Sequence, residues 1–142
     1  MVERRGGSHM RIKNVSIGLA VAAIAVGLGA CVPTFSSGST LTATALGPLV
    51  TLSWPQATEP DANQEVATYR VDVDGVEVAR VPATQTSCVL TGLDPSTTYA
   101  LSVTAYDTNN EWSGDDQANG RVSSTYLTPT SGGAGAAKQC VA

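Results

Sequence analysis

The sequence predicts an all-β sandwich of short antiparallel strands set behind a secretory leader. Three observations predict it. Val50-Thr51-Leu52-Ser53-Trp54 and Tyr69-Arg70-Val71-Asp72-Val73 alternate apolar and polar residues, as strands with one buried face do. Asp74-Gly75 then joins the second of these to Val76-Glu77-Val78-Ala79-Arg80-Val81, and that pair tolerates positive φ at both central positions of a tight hairpin. Strand-like runs recur at regular spacing with no convincing helical period between them, which is the pattern of a sandwich.

The elements follow in chain order. Arg4-Arg5-Gly6 can be encoded by AGG-AGG-GG, a ribosome-binding sequence read in frame, with Met10 at a suitable distance as the true start. Gly7-Ser8-His9-Met10 equally resembles vector-derived residues, so the residues before Met10 are kept out of the fold. Arg11 and Lys13 then form a basic n-region, and Ile17 to Leu28 an apolar h-region. A membrane span needs roughly 17–25 apolar residues, so this run is too short for one. Residues 1–30 are therefore assigned to a signal peptide.

Leu28-Gly29-Ala30-Cys31 resembles the lipobox of bacterial lipoproteins. The resemblance implies cleavage before Cys31, a diacylglycerol on its thiol and, usually, acylation of the new amine. Acyl chains at about 0.8 kcal/mol per buried CH₂ would hold the protein firmly in a bilayer. By the same resemblance an Asp after the cysteine would favour the inner membrane. Val32 stands there instead, so the expected location is the outer membrane of a bacterial envelope. Simple secretion is the alternative, but the exit lacks the small residues of an A-x-A site.

Residues 31–40 are expected to be the lipidated cysteine and a flexible Ser/Gly/Thr-rich linker, spanning roughly 15–18 Å. The domain is placed at 41–128. Leu41-Ala43-Ala45 supplies its first strand, Tyr99 to Ala105 a long inner one and Val122 to Leu127 the last. The expected core is Val50, Leu52, Trp54, Tyr69, Val71, Val73, Leu90, Leu93, Leu101, Val103 and Ala105, with Trp54 at its centre. Residues 129–142 are Gly/Ala-rich and expected to be a mobile tail.

Composition narrows the function classes. Beyond Cys31 only Arg70, Arg80, Arg121 and Lys138 oppose eleven acids, a net charge of −7. Binding to nucleic acid by counterion release needs the opposite sign. Anionic lipid would also repel the body, so the acyl chains must supply the membrane affinity. The only histidine is His9, in the leader, which removes His-based nucleophile triads and His-containing metal sites from the mature chain.

The remaining residues carry a family resemblance. The strand ending in Trp54-Pro55 resembles the second strand of fibronectin type III domains, whose Trp anchors the core. Tyr69-Arg70-Val71 and the Asp74-Gly75-Val76 hairpin resemble their third strand and its turn. Leu90 to Tyr99 is similar to the family's corner between the fifth and sixth strands. There Leu93 would plug the core, and Tyr99 would be the corner tyrosine whose hydroxyl bonds nearby backbone. The resemblance implies a seven-stranded immunoglobulin-like (fibronectin type III) β-sandwich. Gly114 to Gly120 is longer than usual for such domains, which blurs the start of the last strand.

Few residues invite a site. Cys88 and Cys140 admit two readings, a bridge formed outside the cytoplasm or a buried Cys88 acting as a small apolar residue. By resemblance Cys88 opens the fifth strand at the opposite pole from Thr128. Residues 129–139 would then run back, with a reach of at most ~40 Å. Glu59, Asp61, Asp107, Glu111, Asp115 and Asp116 offer oxygen ligands of the kind calcium favours, yet their spacing matches no dedicated loop, so no metal is assigned. Asp115-Asp116 and Glu59/Asp61 are the only carboxylate pairs that invite a hydrolase reading, and acid–base work needs a water-poor cleft that loops on a small sandwich do not make. Trp112 is the recognition candidate, able to stack on a sugar or anchor a protein contact, with packing at the sheet edge as the alternative.

The expectation is a lipid-anchored, non-enzymatic envelope protein without a cofactor. It would act in protein interaction or scaffolding, with a polysaccharide-binding module or an accessory subunit of an envelope complex as alternatives. Its partners would be the membrane, through Cys31, and a protein or glycan, not nucleic acid.

Overall fold

The computed structural model describes residues 32–111, 120–130 and 136–142. Eight strands form two antiparallel sheets packed face to face: β1 (Thr42–Leu46), β2 (Leu49–Ser53), β3 (Val66–Val73), β4 (Val76–Pro82), β5 (Ser87–Thr91), β6 (Thr98–Asp107), β7 (Arg121–Leu127) and β8 (Gln139–Val141). One sheet has the order β1-β2-β5-β8 and the other β4-β3-β6-β7. The first seven strands match the seven expected, and β8 is an addition at the edge of the first sheet.

The period-2 pattern fixes which face of each strand is buried. Val50 and Leu52 on β2 face Tyr69, Val71 and Val73 on β3, and Leu101, Val103 and Ala105 on β6 complete the layer. A one-residue slip would turn each set outward, so the burial pattern pins the register. Between β3 and β4, Asp74 and Gly75 hold φ of 52° and 77°, the paired positive values of a tight two-residue turn. The centre of the core is Tyr69, fully buried, rather than Trp54. Trp54 meets it edge-on at 5.7 Å and Phe35 stacks on it at 6.1 Å. The Tyr69 hydroxyl accepts a hydrogen bond from the Ala57 amide at 2.8 Å.

Two expectations about the domain's limits are corrected. The expected linker 32–40 is fixed to the domain at Pro33 to Phe35 rather than free. Pro33 and Phe35 are buried, and Thr34 and Thr58 exchange backbone hydrogen bonds of 2.8 Å each. The cause is the single aromatic in this polar run: Phe35 fills the space beside Tyr69 that the first strand leaves open, and burying it draws its neighbours in. Leu41, just before β1, is buried, but on β1 itself Ala43 is only half-buried and Ala45 is exposed, so the first strand contributes little to the core.

The expected mobile tail 129–142 also ends in structure. Gln139, Cys140 and Val141 pair with Thr91, Leu90 and Val89. Cys88 and Cys140 are joined in a disulfide with their Cα atoms 5.5 Å apart. The chain leaves β7 bonded to the β5–β6 corner through Thr128 and Pro129, then returns along β5. That return brings Cys140 to Cys88. The approach is close. A Cβ on Gly92 would lie 2.5 Å from the Ala137 carbonyl oxygen, and Gly92 itself holds φ +73°.

Candidate functional site

The two sheets define two poles. One carries the loops 54–65 (β2–β3) and 83–86 (β4–β5) and the end of β6. The other carries the β1–β2 and β3–β4 turns and the corner before β6. At this second pole Tyr99 builds the corner that orders the β5–β6 crossing. Its hydroxyl accepts from the Asp94 amide at 2.9 Å and donates to Asp94 Oδ2 at 3.2 Å. Leu93 is buried beside it. Thr128 locks the same corner by donating its Oγ1 hydrogen to the Asp94 carbonyl at 2.6 Å and accepting from the Thr97 amide at 2.9 Å. Lys138 places its Nζ 5.4 Å from the Tyr99 ring centroid.

A model of the fibronectin type III domain matches residues 39–118, more than half of the chain. The chain belongs to the fibronectin type III family. Domains of this family are common interaction or scaffolding modules and are typically non-catalytic. Among solved structures, the spore cortex lytic enzyme SleM of Clostridium perfringens is similar at 20% identity with a TM-score of 0.49. That alignment covers 68% of this chain and 28% of the enzyme's chain. A comparison with curated proteins finds no match.

The fibronectin type III sandwich presents one polar surface that sequence reading missed, the outer face of the β4-β3-β6-β7 sheet. The register aligns Arg80 with Arg70, Arg70 with Thr104, and Thr104 with Arg121, one row across all four strands. The signal was available: each of these residues occupies an outward position of its strand's alternation. Arg70 Nε donates to Asp72 Oδ1 at 2.8 Å and lies 3.3 Å from Glu77 Oε2. Arg80 reaches Glu77 Oε2 at 3.3 Å and Asn110 Oδ1 at 3.3 Å, with its guanidinium carbon 4.5 Å above the Tyr106 ring. Arg121 Nε donates to Thr104 Oγ1 at 2.8 Å. The hydrogen bond to Asp72 holds the Arg70 guanidinium above its ordinary pKa, and that to Glu77 does the same for Arg80. Neither loses charge at any physiological pH. The face therefore presents three fixed arginines, a residue type enriched at protein interfaces, with Arg80 covering the buried Tyr106 ring.

The sequence-predicted residues fall as follows. Cys31 and Trp112 lie outside the described residues, as do Asp115 and Asp116. Trp54, Tyr69, Leu93 and Tyr99 are all core or corner residues. Of the remaining acids in the candidate calcium set, Glu59, Asp61 and Asp107 accept local hydrogen bonds, while Glu59 Oε2 and Asp107 Oδ2 are buried without a partner. Asp61 Oδ1 accepts from the Asn63 amide at 2.9 Å, and Glu59 Oε1 accepts from the Asp61 amide at 3.0 Å. Buried Asp107 accepts from the amides of Asn109 and Glu111 at 2.8 Å each, which shapes the start of the β6–β7 loop. Among the described residues no group of three His, Cys, Asp or Glu side chains could hold a metal. Asp72 and Asp74, at or beside the hairpin turn, do different things. Asp74 Oδ1 accepts from the Ala100 amide at 2.8 Å and so ties the turn to β6, whereas Asp72 pairs with Arg70.

Proposed function

We propose that the chain is a lipid-anchored, non-enzymatic protein of a bacterial envelope, most naturally the outer membrane, whose fibronectin type III domain acts in protein interaction or scaffolding. The observation that carries the anchor is Cys31 after Leu28-Gly29-Ala30, behind a basic and then an apolar leader segment. The observation that supports the interaction reading is the ordered row of Arg80, Arg70 and Arg121 on one sheet face. Its side chains are already held by Glu77, Asp72 and Thr104, so little side-chain entropy remains to be lost on binding.

Crosslinking of native envelopes followed by recovery of this chain tests the proposal. The expected product is a protein partner, recovered from the membrane fraction and lost when Arg70 and Arg80 are both replaced by Ser. A partner that survives that double substitution would remove the arginine row from the account. Glycan binding abolished by Trp112→Ala would replace the protein-interaction reading with polysaccharide recognition.

A further inference from the structure

The folded body starts almost at the anchor. Only Val32 separates Cys31 from Pro33, which is fully buried. Thr34 is then fixed to Thr58 by two backbone hydrogen bonds, and Phe35 is seated in the core against Tyr69. Two peptide steps reach at most about 7 Å, against the roughly 15–18 Å expected of a nine-residue flexible coil. Thr58 belongs to the β2–β3 loop, so the chain emerges at the pole formed by loops 54–65 and 83–86.

We infer that this pole is the membrane-facing end of the domain, held against a zwitterionic lipid surface in a fixed orientation rather than swinging on a linker. The inference rests on the reading that Cys31 carries the lipid. Geometry leaves little choice. β6 alone runs ten residues, about 33 Å, against a tether of about 7 Å, so the opposite pole cannot become the end that faces the bilayer. Charge selects the kind of surface. The loop residues 54–65 include Glu59, Asp61 and Glu65 with no Lys or Arg, and 83–86 add no charge. A tether of about 7 Å is shorter than the ~10 Å Debye length at 0.1 M salt, so an anionic surface at the anchor would repel the carboxylates this pole carries. A zwitterionic headgroup layer does not. The same orientation turns Leu46, Val76 and Leu127 outward, since each ends or begins its strand at the far pole and is more than 60% exposed.

The test uses the full, processed chain in phosphatidylcholine–phosphatidylethanolamine vesicles with a quencher on the lipid headgroup. A fluorophore is placed at Thr84→Cys on the near pole or at Ala45→Cys near the far pole, both exposed positions. Vesicle flotation and the mass of the N-terminal peptide are recorded on the same samples. The expected result is severalfold stronger quenching at position 84 than at 45. Ten Gly/Ser residues inserted after Val32 should erase the difference. Equal quenching in a chain that floats and carries its acyl groups would overturn the orientation while leaving the anchor intact. A difference that survives the insertion would overturn the short tether as its cause. An unmodified chain that does not float would overturn the Cys31 reading, and the inference with it.

Discussion

Removing the Cys88–Cys140 bridge should lower the stability of the domain by about 4 kcal/mol. The two cysteines are 52 residues apart, so the bridge closes a loop of about that length in the unfolded chain. In the chain-entropy treatment such a closure removes about 14 cal/mol/K from the unfolded ensemble, or ~4 kcal/mol at 25 °C. At roughly 4 °C of Tm per kcal/mol for a domain of this size, the transition should fall by about 16 °C. The double variant Cys88→Ala/Cys140→Ala, compared with the oxidised parent by urea unfolding and calorimetry, measures it. Reductant added to the parent should reproduce most of the shift, because it opens the same loop without altering the buried Cys88 site. If both the reduced parent and the double variant unfold within about 1 kcal/mol of the oxidised protein, the reasoning fails. β8 would then contribute through packing alone, and the unfolded chain would gain nothing by being released.

Other perturbations follow from the same contacts. Phe35→Ala should cost about 3–5 kcal/mol in urea unfolding, the usual loss for a buried aromatic, whereas a flexible linker would lose nothing. Gly92→Ala should destabilise by more than about 1 kcal/mol, because Ala resists φ +73° and its Cβ meets the Ala137 carbonyl; an unchanged midpoint would show that the 136–138 segment does not lie there. Tyr69→Phe leaves the buried Ala57 amide without its acceptor and should cost about 1–3 kcal/mol. Burial pushes the Tyr69 phenol above its ordinary pKa of 10.0, against the smaller lowering effect of the Ala57 hydrogen bond. Its contribution to stability is therefore full below pH 10 and is lost as pH climbs through the raised value; pH-dependent urea midpoints of Tyr69→Phe should lack that component.

Strands with clean alternation and a recognisable turn were legible before any coordinates. β2, β3 and β6 each place apolar residues every second position, and Asp74-Gly75 and Leu93 to Tyr99 mark connections by residue type. The segments that escaped reading lack both signals. Pro33 to Thr40 is polar and small, the composition of a linker, and only Phe35 departs from it; one aromatic has no period, yet its burial against Tyr69 sets where the domain begins. Gln139 to Val141 is too short for alternation to register, and its place depends on Leu90 and Cys88, about fifty residues earlier in the chain. The candidate surface shows the same division. Trp112 stood out because it is a large residue in a loop, while Arg70, Arg80 and Arg121 looked like ordinary outward positions. Their alignment into one row needs the register of three strand pairs, which no local pattern encodes.

The intact mass of the N-terminal peptide from membrane-extracted protein bears most directly on the account. It should begin at Cys31 and carry a diacylglycerol, usually with a further acyl group on the amine, giving a lipid-soluble species absent from the soluble fraction. A peptide that runs through Cys31 with a free thiol, recovered from the soluble fraction, would contradict it.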